Sequence, residues 1–140
     1  MIKGGRRLSG GIEVRGAKNS ALKGIASALL FSNPVKISNL PFIEDVWRMC
    51  ELLEGLGVRV NRSGRILRLD PRTVAEKKLD ARISQTIRAS IVLTGPLLAR
   101  AGEVSFPHPG GDMIGKRPID IFLEGFAAMG AKVRGGGNFF

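Results

Sequence analysis

The chain repeats itself. From Asp45 to Leu56 the apolar residues Val46, Met49, Cys50, Leu53 and Leu56 fall on one face of a helix, and adding 73 to each number gives Ile119, Phe122, Leu123, Phe126 and Met129, the same face again. Both patterns end alike. Leu56-Gly57-Val58-Arg59-Val60 matches Met129-Gly130-Ala131-Lys132-Val133, a glycine suited to the left-handed helix-ending conformation followed by a short strand. A duplication of this length decides the architecture before anything else, because each copy has the same apolar face to bury. The pattern assigns Cys50 and Phe122 to the core.

A second pair lies upstream. A helical pattern from about Ser20 to Leu30, followed by the strand-like Pro34 to Ser38, is matched by Ala89 to Arg100 and then Gly102 to Phe106, with Leu29-Leu30 answering Leu97-Leu98 at an offset of 68. Gly95-Pro96 inside the second helix is a breaking signal. Further strands are predicted at Ile12 to Arg15 and Ile66 to Asp70, with a polar connector from Pro71 to Asp80. The alternation reads as an α/β fold built from two units, the first over about residues 10–70 and the second over about 80–140.

A chain of 140 residues with 44% hydrophobic content supports one packed domain and not two. Its apolar runs are broken by Gly, Pro or charge before the roughly 18 residues a membrane span needs, and the start lacks the apolar region of a signal peptide. A cytoplasmic protein with no membrane partner is expected. Cys50 is the single cysteine and His108 the single histidine, so no disulfide and no metal cluster of His/Cys spacing is predicted. The formal charge of +10, with Lys3, Arg6, Arg7, Arg15, Lys18 and Lys23 crowding the beginning against Glu13, points to an anionic partner. Composition alone leaves open nucleic acid, a phosphorylated small molecule, or a basic surface with no specific partner.

The offset grows from 68 to 73 between the two helix pairs, so the second unit holds five extra residues between Leu98 and Ile119, most of them in the loop PGGDMIGKRP. A loop added to a repeated scaffold is free of the core's demands and is a place to graft function. Glycines allow close backbone approach to a ligand, and Arg117 precedes Pro118, a favoured first helical residue, near a positive helix end. The loop matches neither a Walker A nor a dinucleotide-binding fingerprint, and the strands do not alternate as in a KH domain.

Three runs taken together, LSGGIEVRGAKNSAL (Leu8 to Leu22), QTIRAS (Gln85 to Ser90) and PGGDMIGKRPID (Pro109 to Asp120), resemble the UDP-N-acetylglucosamine enolpyruvyl transferase family, the 1-carboxyvinyltransferases of peptidoglycan synthesis. The resemblance spans essentially residues 1–140, yet these look like only the N-terminal third of a family member. It implies an incomplete inside-out α/β barrel of repeated βαβαββ units, with the second globular domain absent, and a first strand near Ile2 that belongs to that other domain. The related shikimate-pathway transferases carry a Ser-Lys-Ser type of early motif where this chain has Gly16-Ala17-Lys18-Asn19.

What the resemblance implies is transfer of the enolpyruvyl group of phosphoenolpyruvate to the 3-hydroxyl of UDP-N-acetylglucosamine, without metal or cofactor. Lys18, beside Asn19 at a helix opening, would hold the phosphate or carboxylate of phosphoenolpyruvate; Arg88 would contact the UDP-sugar; Arg117 would pair with phosphate through its planar fork. Pro118, Ile119, Asp120 and Ile121 would line the uridine end. Asp112 stands where most members carry a cysteine, and would be the general acid that protonates the methylene carbon; Phe122 stands where a histidine is expected. His108 has no assigned role. The chain alone is expected to be inactive, and to need the missing C-terminal part of the enzyme or to self-associate. A basic RNA-binding module is the alternative, distinguished by a steep dependence of binding on salt.

Overall fold

The computed structural model describes residues 3–5, 7–111, 118–136 and 138–140. Helix α1 (Lys18–Ser27) runs into a 3-10 turn at Ala28–Leu30 and buries Ala21, Leu22, Ile25, Ala26, Ala28 and Leu29. Its N-cap, Ala17, has no side chain able to accept from the first N–H groups, so that end keeps its positive charge. Strand β1 (Val35–Ile37) follows, then helix α2 (Glu44–Gly55), whose first turn carries Glu44 and Asp45 as the helix dipole favours. The hairpin of β2 (Arg59–Ser63) and β3 (Ile66–Asp70) completes the unit.

The three strands form an antiparallel sheet in the order β1-β3-β2. Period-2 alternation turns Leu67 and Leu69 of the central strand inward, where Val35 and Val60 flank Leu69 and Ile37 lies opposite Leu67. Both leucines are fully buried and share one core with Val46, Met49, Cys50, Leu53 and Leu56 of the α2 face. Each such side chain contributes roughly 1.5–3 kcal/mol by leaving water, so the first unit carries most of the stability.

The duplication is visible at the level of single hydrogen bonds. At the end of α2, Gly57 N–H donates to Glu54 O (2.9 Å) and Val58 N–H to Leu53 O (3.0 Å), with Gly57 at φ +93. Adding 73 to all four gives the end of α5 (the fifth helix, Asp120–Ala128): Gly130 N–H to Ala127 O and Ala131 N–H to Phe126 O, both 2.9 Å, with Gly130 at φ +97. Likewise the β2–β3 closing pair Ser63↔Ile66 reappears as the bridge Gly136↔Phe139. Phe106 and Phe140 exchange both backbone bonds (3.1 and 2.9 Å), the start of a ladder equivalent to β1–β3.

Several expectations are corrected. Ala89 to Arg100 is not one helix: Arg88–Leu93 winds as a 3-10 segment and α4 starts at Thr94 (Thr94–Ala101), after the short α3 (Ala81–Ser84). Pro96 has no N–H to give Val92, so the chain breaks where Pro96 falls in a first turn. Ile12 to Arg15, Gly102 to Phe106 and Ala131 to Val133 do not form strands; isolated bridges at Ser105, Pro107, Gly136 and Phe139 are what the described residues show there. The physical reason is that a strand is stable only when paired, and among the described residues these segments find at most isolated bridges. Helix α5 has no fully buried residue: Ile119, just before it, is buried, Phe122, Leu123 and Phe126 are half-buried, and Met129, on the same apolar face, is 78% exposed.

Cys50, by contrast, sits at zero exposure, and burial pushes its thiol up to about 11, with Arg62 opposing. A raised thiol pKa favours the protonated form in the fold. Its contribution is therefore complete below the unfolded value of about 8.5 and is lost as pH rises toward 11. The expected result is a thiol inert to Ellman's reagent at pH 8 until denaturant unfolds the chain, and a melting temperature that declines above pH 9; rapid native-state labelling would contradict the packing of α2.

A cleft where three motifs meet

The entry to α1 is set by Gly16. A Cβ built there would lie 1.9 Å from the carbonyl oxygen of Asn39, so only glycine lets the chain pass the Asn39–Pro41 turn and deliver Lys18 and Asn19 at the helix start. Asn39 itself is left-handed at φ +59, a conformation asparagine tolerates. Arg65, from the β2–β3 turn, grips the Asn39 side chain and reaches Glu13 at 3.2 Å. The α1 opening is thus braced from both sides.

The second and third motifs touch directly. Gly110 N–H donates to Ser84 O at 3.0 Å, and a Cβ on Gly110 would fall 1.5 Å from Gln85 O. Gly111, at φ +101, lies against Arg88, where a Cβ would approach both N and Cβ at 3.0 Å. The Arg88 guanidinium crosses to donate to Pro118 O at 3.0 Å, tying QTIRAS to the start of α5.

Between these walls is a cleft of about 410 Å3, lined by Lys18, Asn19, Asp45, Thr86, Arg88 and Gly111 over an apolar floor of Leu22, Ile91 and Phe122. Lys18 and Asn19 are exposed, Arg88 half-buried, and the Lys18 ammonium is paired with the Asp45 carboxylate. Two cations, one acid and an uncapped helix end leave the cleft positive, suited to an anion of more than one charge. Among the described residues no group of three or more His, Cys, Asp and Glu is arranged to hold a metal ion.

The expected site residues are thus only partly gathered. Lys18, Asn19 and Arg88 meet in one cleft, although 70 residues separate Lys18 from Arg88 (88 less 18). Asp112 and Arg117 lie outside the described residues. Pro118 is exposed and Asp120 begins α5; Ile121 is 75% exposed, while the Ile119 side chain is 1% exposed and belongs to the core, leaving only its backbone to face a ligand. Phe122 both lines the cleft and packs on the core. His108 meets the Phe140 ring edge-on at 5.2 Å, a packing role. Asp45 was not among the expected site residues, since its place in a first helical turn explains it locally.

Fold and cleft together define an α/β protein with a positively charged cleft at a helix opening. The family model described as EPSP synthase (3-phosphoshikimate 1-carboxyvinyltransferase) matches residues 2–140, and the chain belongs to that family. Within it, the chain is 43% identical over 134 residues to the UDP-N-acetylglucosamine 1-carboxyvinyltransferase of Halothermothrix orenii, a match covering 96% of this chain and 32% of that protein. It is 45% identical to the protein of the same name from Bradyrhizobium diazoefficiens, over 95% of this chain and 31% of that one. The solved structure of the enolpyruvyl transferase NikO from Streptomyces tendae superposes with a TM-score of 0.79 at 25% identity, covering 96% of this chain and 29% of that chain. This chain spans about a third of the length of the relatives it matches. No helix among the described residues is long and apolar enough to cross a membrane.

Proposed function

We propose that this chain forms the anion-binding part of an enzyme that transfers the enolpyruvyl group of phosphoenolpyruvate to the 3-hydroxyl of UDP-N-acetylglucosamine, the first committed step of peptidoglycan synthesis, in the cytoplasm. The observation that carries the reading is the single cleft uniting Lys18, Asn19 and Arg88 with Gly111 pressed against Arg88. The names of the relatives favour the amino-sugar acceptor.

In the reaction the sugar 3-hydroxyl loses its proton as its oxygen bonds to C2 of phosphoenolpyruvate, a proton that in the overall balance leaves with the phosphate, while the methylene carbon takes a proton from the general acid. The resulting tetrahedral adduct then loses that carbon's proton again, with phosphate leaving from C2. Lys18 answers the phosphate or carboxylate and must exchange Asp45 for it; Asn19 adds a polar contact at the same helix end. Arg88 faces the UDP-sugar, and Arg117 supplies a two-point grip on phosphate. The segment Pro118 to Ile121 borders the uridine, and Asp112 supplies the proton.

Such a site closes between two globular parts, so residues 1–140 alone are expected to turn over nothing. The test is a chimera in which this chain replaces the matching third of the Halothermothrix orenii relative. It should convert both substrates, Lys18→Ala should lower kcat/KM for phosphoenolpyruvate by about 100-fold or more, and Arg117→Lys should fail to rescue because charge without the fork does not suffice. A chimera indifferent to Lys18→Ala would end this assignment, and turnover by the isolated 140-residue chain would refute its dependence on a second part.

A further inference from the structure

We propose that the outward face of the β1-β3-β2 sheet, with the aromatic pair at its β2 edge, is a binding surface for single-stranded RNA. Between residues 59 and 72 the chain places Arg59, Arg62, Arg65, Arg68 and Arg72 against one acid, Asp70, and no lysine. The sheet register sorts them. Leu67 and Leu69 turn inward, so Arg68 turns outward between Lys36 on β1 and Asn61 on β2, directly opposite both. All three are exposed, and among the described residues neither the Lys36 nor the Arg68 side chain has an ion pair. Like charges directly opposite each other weaken a sheet, and an anion laid across them removes the penalty. Beside them Arg59 and Arg72 share the single Asp70 carboxylate, at 3.1 and 2.8 Å, which leaves that group positive as well. An open hollow of about 600 Å3 borders the row, lined by Arg59, Asn61, Arg68 and Asp70, with Glu54 of α2 as its other acid.

None of these residues lines the cleft of Lys18 and Arg88, so the reaction proposed above leaves them without a role. Cations with few carboxylates to answer them are not a face on which further protein packs, because burial would strip their hydration without pairing them. Arginine in place of lysine suits phosphate, since its planar fork makes two-point contacts. The aromatic pair says which phosphate chain. Strand β2 is an edge of the sheet, and over that edge the Arg62 guanidinium lies 5.0 Å from the centre of the Trp47 ring, with the Phe42 ring 6.0 Å from Trp47. Phe42 is 59% exposed, a large apolar ring held in water beside cations. Unpaired bases stack on aromatic rings and guanidinium planes while basic side chains follow the backbone. A duplex keeps its bases inside, an acidic peptide has none to offer, and RNA is the nucleic acid that presents single-stranded loops and ends.

This inference is independent of the reaction proposed above. Fluorescence anisotropy of a labelled single-stranded RNA of about 12 nucleotides should show binding by the 140-residue chain that falls linearly with salt on logarithmic axes. An excess of phosphoenolpyruvate and UDP-N-acetylglucosamine should leave the RNA in place. Arg68→Ala should reduce the salt slope by about 0.7, one single-strand phosphate contact, whereas Lys132→Ala, which removes the same charge from an exposed position off the sheet, should not. Phe42→Ser should weaken binding about tenfold with the slope unchanged, as the loss of one stacked base requires. All three positions are exposed, and each variant is checked for an unchanged circular dichroism spectrum. Inorganic polyphosphate should bind more weakly than RNA and be indifferent to Phe42→Ser. No RNA binding at low salt, equal effects of Arg68→Ala and Lys132→Ala, RNA affinity unmoved by Phe42→Ser, displacement by the two substrates, or polyphosphate or a polyglutamate peptide held as tightly as RNA would each overturn the proposal.

Discussion

Replacing Asp112 by Asn in the chimeric enzyme is expected to lower kcat by about 100- to 10,000-fold, the range that a positioned proton donor contributes, while UDP-sugar affinity stays within a factor of a few. Asn keeps the size and the polar contacts of Asp but has no proton to transfer. A free aspartate has a pKa of about 3.9 and is a poor donor at neutral pH, so the role requires a site closed over an anionic substrate that raises it, against the opposing charge of Arg117. Turnover should consequently fall on the alkaline side, as the carboxyl loses its proton. Because a carboxylate is a weaker nucleophile than a thiolate, the enzyme should also resist the epoxide fosfomycin, and Asp112→Cys should create sensitivity. Measured turnover of the Asn variant decides the matter, and near-normal rates would remove Asp112 from the chemistry.

The second large effect is structural and needs no substrate. Gly110→Ala places a methyl 1.5 Å from Gln85 O and 2.2 Å from its carbonyl carbon, both backbone atoms that have no rotamer to escape into. The segment must lift, breaking the Gly110 N–H bond to Ser84 O and pulling Gly111 away from Arg88. A loss of about 2–4 kcal/mol is expected for a backbone clash that also breaks a hydrogen bond. Gly125→Ala is the control. It sits within α5 with nothing within 4 Å of a built Cβ, so the same methyl should stabilise by about 0.5–1 kcal/mol through helix propensity. Urea midpoints that shift equally for the two variants would show that the Gly110 contact is not rigid.

The first unit was legible because its elements satisfy local rules and tertiary ones alike. The α2 face repeats at helical spacing and finds a sheet to cover it; Gly57 ends the helix at positive φ where a Cβ would also meet Thr73 O at 2.6 Å. Ile66–Asp70 forms a strand with the expected bounds because its alternating leucines are inward on a central strand. The second unit carries equivalent local signals in Ala131 to Val133 and Gly102 to Phe106, and they do not become strands. A strand is stable only when paired, and among the described residues these segments find at most isolated bridges.

The candidate site divides along the same line. Three runs of sequence pointed to Lys18, Asn19 and Arg88, and Gly16, Gly110 and Gly111 were visible as glycines. Their necessity was not, because it comes from Asn39, Gln85 and Arg88, residues far away in the chain that approach the glycine backbones. Asp45 could not be found at all from its neighbours in sequence, since its ion pair with Lys18 exists only where α1 and α2 pack together. What the amino-acid order determined by itself was the duplication, the helix ends and the identity of the charged residues, all set by contacts within a few positions. Which cations share a cleft, which helix faces stay open and which apolar segments are left unpaired were decided by tertiary packing, because each depends on the approach of groups that local chain geometry does not bring together.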